Sequence, residues 1–88
     1  MSEAARWLDG NALGGLLLEL FGTELTAAPH RCESCGAMRP VAEHRLYLGA
    51  GAVLRCPVCE QIAMVVATLP DRHVLRLTGA WQLEMPRS

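Results

Sequence analysis

The feature that most constrains the fold of this chain is a pair of CxxC motifs. All four cysteines lie in RCESCG (31–36) and RCPVCE (55–60), and twenty residues separate the two pairs. This spacing falls in the range typical of four-cysteine zinc sites. Four thiolates at about 2.3 Å satisfy the tetrahedral preference of Zn²⁺ completely, as in structural sites. The pattern predicts one structural zinc ion per chain, with the ligands Cys32, Cys35, Cys56 and Cys59.

Two other uses of the cysteines stay open. A rubredoxin-like mononuclear iron site would employ the same four thiolates, and a redox dithiol or a pair of disulfides would employ them two by two. A thioredoxin-like CxxC is expected next to a βαβ pattern. Here each pair lies among strand signals, which disfavours the redox interpretation.

Turn-forming residues accompany each cysteine pair. Gly36 follows Cys35 and permits a left-handed turn, while Pro57 restricts the backbone inside the second pair. Arg31 and Arg55 directly precede the two pairs. They could offset the net charge of −2 on a dication bound by four thiolates, although exposed strand residues are the simpler interpretation.

The segment before the first pair has a helical period. Its large apolar residues recur at i, i+3, i+4, i+7 and i+8, which describes one face of a helix. Asp9 or Asn11 can act as N-cap, and Gly22 can end the helix. We therefore predict a helix within residues 9–22. The apolar stripe consists of Leu13, Leu16, Leu17, Leu20 and Phe21.

After Pro29 the period changes from helical to strand-like. Short runs rich in β-branched or large apolar residues alternate with turn signals at residues 49–51 and 70–72. The runs are residues 40–48, 52–55, 62–69, 73–77 and 81–85. With 88 residues the chain has room for one small domain. We predict an α+β, metal-stabilised single domain spanning residues 1–88, in which a zinc-ribbon sheet over residues 26–86 follows the N-terminal helix.

Charge and hydropathy narrow the classes of partner. The eight basic residues are all arginine, the nine acidic residues are scattered among them, and the net charge is −1. Since phosphate contacts require clustered Arg or Lys, nucleic acid is a disfavoured partner. The N-terminus lacks the basic and apolar regions of a signal peptide, and no apolar run is long enough to span a bilayer. We therefore expect a cytoplasmic protein without a membrane partner.

Catalytic patterns are missing from the sequence. Four thiolates leave no open position on a zinc ion, and no Ser, Asp or Glu stands at a spacing that suggests a nucleophile with its base. We expect His30 to be a solvated or locally hydrogen-bonded loop residue and His44 to be an edge or packing residue, neither of them a ligand. The sequence accordingly predicts a protein that is not an enzyme.

Four motifs together resemble a family of short bacterial zinc-ribbon proteins of unknown function. They are LDGNALGG (8–15), the CxxCG and CPxC pairs, and LEMP (83–86). The resemblance covers the chain from Leu8 onward and implies the metal site and the ribbon fold, but no activity. It also implies an accessory role for a redox enzyme, because we associate genes of this family with those of molybdopterin-dependent oxidoreductases and flavoproteins.

These observations lead to one function hypothesis with two alternatives. The hypothesis is a non-enzymatic zinc-ribbon protein that acts as an interaction or accessory module. Its partner would be another protein, such as an oxidoreductase, or a second copy bound through the outer side of the N-terminal helix around Gly14, Gly15, Leu18 and Gly22. The alternatives are a nucleic-acid-binding zinc ribbon and a rubredoxin-like iron electron carrier.

Overall fold

The computed structural model describes residues 7–87, which form one α-helix and antiparallel strands in two sheets. The helix, α1, spans Gly14–Phe21, and short 3₁₀ turns span Gly10–Leu13 and Val41–Glu43. No helix among residues 7–87 combines the length and apolar character needed to cross a membrane. The strands are β1 (Leu8–Asp9), β2 (Pro29–Arg31), β3 (Met38–Pro40), β4 (Arg45–Leu48), β5 (Ala52–Arg55), β6 (Ile62–Leu69), β7 (Arg72–Leu77) and β8 (Ala80–Trp81).

The larger sheet has five strands in the order β1-β4-β5-β6-β7. Leu46, Leu54 and Met64 are aligned across its three central strands and are all buried. Because alternate residues of a strand face the same side, this register places one apolar face of the sheet against the interior. The register shifts between Leu54 and Arg55, where the chain leaves the regular ladder just before Cys56.

The smaller sheet has three strands in the order β3-β2-β8. Strands β2 and β3 form the hairpin that carries the first cysteine pair, and β8 returns from the far end of the chain to align Trp81 with His30. Beyond β8, Gln82 donates its backbone N–H to the carbonyl oxygen of Pro29 at 3.1 Å. The C-terminal segment therefore stays attached to the hairpin.

The hydrophobic core joins the helix, its preceding turn and the inner face of the larger sheet. Leu13 and Leu17 supply the helical side, and Leu16 and Phe21 pack partly against the same cluster. Four of the five residues of the apolar stripe predicted from the sequence therefore face the core, whereas Leu20 is half-buried outside this cluster. The buried cluster is aliphatic and consists of Leu13, Leu17, Leu25, Ala28, Val41, Leu46, Ala52, Leu54, Met64 and Val66.

The α+β class with antiparallel strands, predicted from the sequence, is confirmed, but several strand limits differ. Strands β5 and β6 span the predicted runs at 52–55 and 62–69. The run at 40–48 is not one strand: Pro40 ends β3 and Arg45–Leu48 form β4, because Val41 and Ala42 turn to bond the carbonyl oxygens of Ala28 and Thr26. Strands β2 and β3, and the short β1, were not predicted, since strands of two or three residues carry too little periodicity to recognise.

The helical segment is shorter than the predicted range of 9–22. Asp9 pairs with Arg45 in the larger sheet and its side chain makes no capping bond, and Asn11 lies within the 3₁₀ turn. The chain becomes α-helical only at Gly14. The predicted end is confirmed, because Gly22 adopts a left-handed conformation with φ of 74° and donates its N–H to the carbonyl oxygen of Leu18.

His30 is not a solvated loop residue as predicted. It lies in β2 with 1% of its surface exposed, and its ring packs on Trp81 at a centroid distance of 4.6 Å. His44 is equally buried, in agreement with its predicted packing role. Nδ1 of His30 and Nε2 of His44 are 3.0 Å apart. The error has a physical cause: the return of β8 covers His30, and no local pattern around residue 30 encodes that contact.

Backbone carbonyls decide which ring nitrogens of the histidine pair carry hydrogen. Nδ1 of His44 donates to the oxygen of Pro40 at 2.9 Å, and Nε2 of His30 donates to the oxygen of Thr78 at 2.8 Å. Burial, which is the largest cause, lowers the pKa of His44 below its ordinary value of 6.5. Neutral His44 with its hydrogen on Nδ1 has Nε2 as an acceptor, and this atom faces Nδ1 of His30.

We predict that His44→Leu lowers the free energy of unfolding by about 2–4 kcal/mol, because it leaves a ring nitrogen of His30 and the oxygen of Pro40 buried without partners. Leucine fills a similar volume, so a cavity is not the cause. His73→Leu is the matched control, since His73 bonds Thr68 at an exposed position. This variant should change the free energy of unfolding by less than about 1 kcal/mol. Denaturant unfolding at pH 7.5 measures both. Equal values for the two variants would contradict a structural role for the pair.

Acid should lower the free energy of unfolding through the same residue, His44. A histidine whose pKa is lowered by folding contributes stability above the pKa of the unfolded chain, and that stability is lost as the pH falls towards the folded value.

Candidate metal centre

Two hairpins carry the cysteines. The first turn, residues 32–36, connects β2 to β3 in the smaller sheet, and the second, residues 56–60, connects β5 to β6 in the larger sheet. We call these turns the first knuckle and the second knuckle. Because each knuckle belongs to a different sheet, their meeting point also joins the two sheets.

Backbone hydrogen bonds close the first knuckle. Cys32 donates its N–H to the oxygen of Ala37 and accepts at its own oxygen from the N–H of Gly36, both at 2.9 Å. The N–H of Ser34 points at Sγ of Cys32 at 3.4 Å. Gly36 has a φ of 78°, the left-handed conformation predicted for it from the sequence. The turn thus directs a backbone amide at a sulfur atom.

The second knuckle repeats this arrangement atom for atom. Cys56 donates to the oxygen of Gln61 at 2.9 Å and accepts from the N–H of Glu60 at 3.0 Å. The N–H of Val58 lies 3.4 Å from Sγ of Cys56. The repeated sequence motif therefore encodes a repeated backbone conformation.

Each knuckle is also clamped by the arginine that precedes it. Nη1 of Arg31 donates to the oxygen of Gly36 at 3.2 Å, and Nη1 of Arg55 donates to the oxygen of Glu60 at 2.9 Å. The interpretation of these arginines as exposed strand residues overlooked this contact. A signal for it was present, because arginine stands at the same position before both motifs.

Glu60 is a site residue that the sequence analysis missed. It occupies the position of Gly36 in the second knuckle and has a φ of 70°, a conformation that costs a non-glycine residue free energy. Its carboxylate accepts from Nη1 of Arg45 and from the hydroxyl of Tyr47, at 3.2 Å for the latter. These bonds to β4 compensate for the unfavourable backbone.

The four sulfur atoms converge on one point. Every pair of them lies within 4.8 Å, and the sulfurs of Cys32 and Cys59 and of Cys35 and Cys56 are 3.5 and 3.7 Å apart. A tetrahedron with metal–sulfur bonds of about 2.3 Å has edges of about 3.8 Å. A disulfide would need about 2.05 Å. The donor set therefore fits a tetrahedral metal ion and is not disulfide-bonded.

The thiols of the site differ in acidity. The backbone amide of Cys35 is the largest cause that lowers the pKa of Cys32, to about 7. The backbone amide of Gln61 acts to lower the pKa of Cys59, but burial and the neighbouring sulfurs outweigh it and raise the pKa to about 11. Four thiolates so close together repel one another. A dication at their centre removes this repulsion, so metal binding and deprotonation are coupled.

The site is buried on one side and reaches solvent on the other. Cys32 and Cys56, the first cysteine of each pair, are buried, whereas Cys35 is exposed and Cys59 is half-buried. His30 is engaged by His44 and Thr78 and does not belong to the cluster of donors. The structure therefore brings together the four predicted cysteines and leaves the nearby histidine outside them.

Comparison with known proteins gives one match. Residues 2–88 match a family described as "Family of unknown function (DUF6510)". No curated protein and no solved structure matches the chain.

We predict that the affinity for metal falls at least about tenfold per pH unit between pH 8 and pH 6, because binding must displace at least the proton of Cys59. The sign follows from competition: acid supplies the proton that the metal has to release. Titration against a chromophoric chelator at several pH values measures the slope. An affinity independent of pH would show that the thiols are not the ligands.

Proposed function

The chain belongs to DUF6510, a family of unknown function, and we propose that it is a non-enzymatic zinc ribbon that serves as a protein-interaction or accessory module. The observation that carries the proposal is the closed set of four cysteine sulfurs, one pair on each of two antiparallel hairpins. Two knuckles on neighbouring hairpins are the arrangement that defines a zinc ribbon.

Zinc is the metal we assign to this site, with one ion per chain in a structural role. Four thiolates match the ligand number, geometry and softness that Zn²⁺ accepts. A catalytic zinc keeps one position for water, whereas here the sulfurs of Cys32, Cys35, Cys56 and Cys59 occupy all four. The ion would therefore stabilise the fold and take no part in a reaction.

The cytoplasm is the compartment that suits these thiols. All four cysteines are free of disulfides. Thiols persist in reducing compartments, whereas secreted small domains use cysteines for disulfide frameworks. A reduced, metal-binding set of cysteines thus supports a cytoplasmic location.

Helix α1 supplies the surface that we assign to the partner. Leu18 projects from it with 51% of its surface exposed, and, apart from the chain neighbours and the helix backbone, no atom of residues 7–87 lies within 4 Å of the point where a Cβ would stand on Gly15. Gly14, which the sequence placed on this outer side, instead faces Thr26, whose methyl carbon lies 3.2 Å from the corresponding point. The outer side is therefore smaller than predicted and centres on Gly15, Leu18 and Gly22.

The proposed partner is a protein. The family resemblance suggests an oxidoreductase, for which this chain would be an accessory subunit. A second copy of the chain is the other occupant, because two α1 helices can approach closely at Gly15 and bury Leu18 between them.

A rubredoxin-like iron electron carrier is the second candidate. Backbone amides of Ser34 and Val58 point at the sulfurs of Cys32 and Cys56, and the exposed Cys35 brings one edge of the cluster to the surface. Hydrogen bonds to sulfur and solvent exposure both change the reduction potential of iron–thiolate centres. These features suit electron transfer if iron is the native ion.

Metal analysis separates the two candidates. Protein purified without added metal should be colourless and contain about one zinc ion per chain, because a closed d¹⁰ site has no visible thiolate-to-metal transition. Atomic emission and the visible spectrum provide the measurement. Stoichiometric iron with a red colour would replace the module hypothesis by the electron carrier.

Leu18→Glu tests the interaction surface. The charge should abolish dimerisation, or capture of the partner from the native host, while the free energy of unfolding changes by less than about 1 kcal/mol, as expected for an exposed position. Light scattering over a concentration series and affinity purification with mass spectrometry are the measurements.

Leu48→Glu is the matched control for that experiment. Leu48 is also exposed, at 64%, but lies at the end of β4. It should leave assembly unchanged. If Leu18→Glu and Leu48→Glu behave alike with normal metal content, α1 is not the interface.

A further inference from the structure

The two knuckles share one backbone pattern but differ in how they are anchored. In the first, the residue with positive φ is Gly36, which has no side chain, and the clamp from Arg31 is exposed. In the second, the equivalent residue is Glu60, and its carboxylate is held by Arg45 and Tyr47. The second knuckle therefore has two side-chain bonds to the sheet that the first lacks.

The arginine side chains also hold the second knuckle more firmly than the first. Arg55 is half-buried and donates to Glu60 at 2.9 Å, and its guanidinium lies 5.7 Å from the ring centre of Tyr47. Arg31 donates to Gly36 at 3.2 Å and is exposed to solvent. Because exposed hydrogen bonds compete with water, the clamp on the first knuckle is the weaker of the two.

The strands that flank the second knuckle are also held more firmly in their sheet than the strand that follows the first knuckle. Strand β5 lies inside the larger sheet between β4 and β6, and β6 pairs with β7 over the six residues Met64–Leu69. Within residues 7–87, strand β3 is an edge strand of three residues that pairs with β2 alone. Pro57 also restricts the second knuckle when the site is open, and the first has no proline.

We propose that the first knuckle is the opening half of the metal site and the second knuckle is its preformed half. The second knuckle keeps its shape through Arg55 and Glu60, and a metal ion is acquired and lost as residues 32–36 close and open against it. Arg55 and Glu60 are positioning residues, since they act on the backbone that presents Cys56 and Cys59 and do not themselves supply donors. The inference rests on the proposed metal site and is independent of the proposed partner.

The test compares the labelling of two equivalent cysteines in the full-length protein. Cys32 and Cys56 are the first cysteines of their pairs and are 4% and 1% exposed, so either reacts only when its knuckle opens. The protein, with its metal content measured, is treated with limiting N-ethylmaleimide, and the label is mapped by mass spectrometry in molecules that carry a single label. Cys32 should be labelled at least about tenfold faster than Cys56, because local opening follows the weaker anchoring.

A matched pair of variants assigns the cause. Arg55→Gln should raise the labelling of Cys56 at least about fivefold, and Arg31→Gln should leave Cys56 unchanged, because each removes the clamp of one knuckle only. Glu60→Gly is the second probe of the anchor: glycine accepts the positive φ, so the variant folds, but the bonds to Arg45 and Tyr47 are lost. It should also speed the labelling of Cys56.

Each outcome supports or overturns the inference, whether or not the purified protein contains metal. Equal rates at Cys32 and Cys56, or faster labelling of Cys56, overturn the opening order and leave the proposed module standing if one ion per chain is present. Protein without metal overturns the proposed function. In that case the comparison of each variant with the wild type at the same cysteine decides the inference, because the lowered pKa of Cys32 by itself speeds the labelling of that thiol.

Discussion

The convergence of four thiol groups is the constraint on which the rest of this structure depends. The first knuckle belongs to the three-stranded sheet and the second to the five-stranded sheet, so the cluster of sulfurs ties one sheet to the other. Structural zinc contributes about 10–16 kcal/mol of apparent binding free energy in small peptides, whereas an ordinary domain has a net stability of about 5–15 kcal/mol. A chain of 88 residues with a thin aliphatic core has reason to use such a tie.

A second tie lies between the smaller sheet and the core. His30 in β2 bonds His44, which follows the turn at Val41–Glu43, and Trp81 covers His30 from β8. This polar cluster connects the short strands of the smaller sheet to the core. Buried hydrogen bonds of this kind allow few alternative arrangements, because each lost partner leaves a polar atom without water. The histidine pair therefore fixes how the metal-bearing hairpin sits on the core.

The two cysteine motifs adopt the same backbone conformation, but different side-chain contacts stabilise the two knuckles. Arginine before each cysteine pair closes both knuckles in the same way, but Glu60 connects only the second to the sheet beneath it. The cost of a positive φ at Glu60 is acceptable because the side chain gains Arg45 and Tyr47. A pattern that is symmetrical in sequence thus becomes asymmetrical in stability. The proposed order of metal exchange depends on that asymmetry, whereas the proposed interaction surface depends on the exposed face of α1.

The sequence by itself determined the elements whose signals are local. The spacing of the cysteines predicted which four sulfurs meet, the apolar stripe predicted the buried side of α1, and Gly22 predicted its end. Strands β5 and β6 were readable because runs rich in β-branched or large apolar residues form them. What only the tertiary structure decided depends on contacts between distant segments: the burial of His30 by β8, the extended pairing of Asp9 with Arg45, and the anchoring of Glu60 by β4. Their partners lie between 13 and 51 residues away along the chain. No local period reports such partners, because they are chosen by the packing of the whole chain.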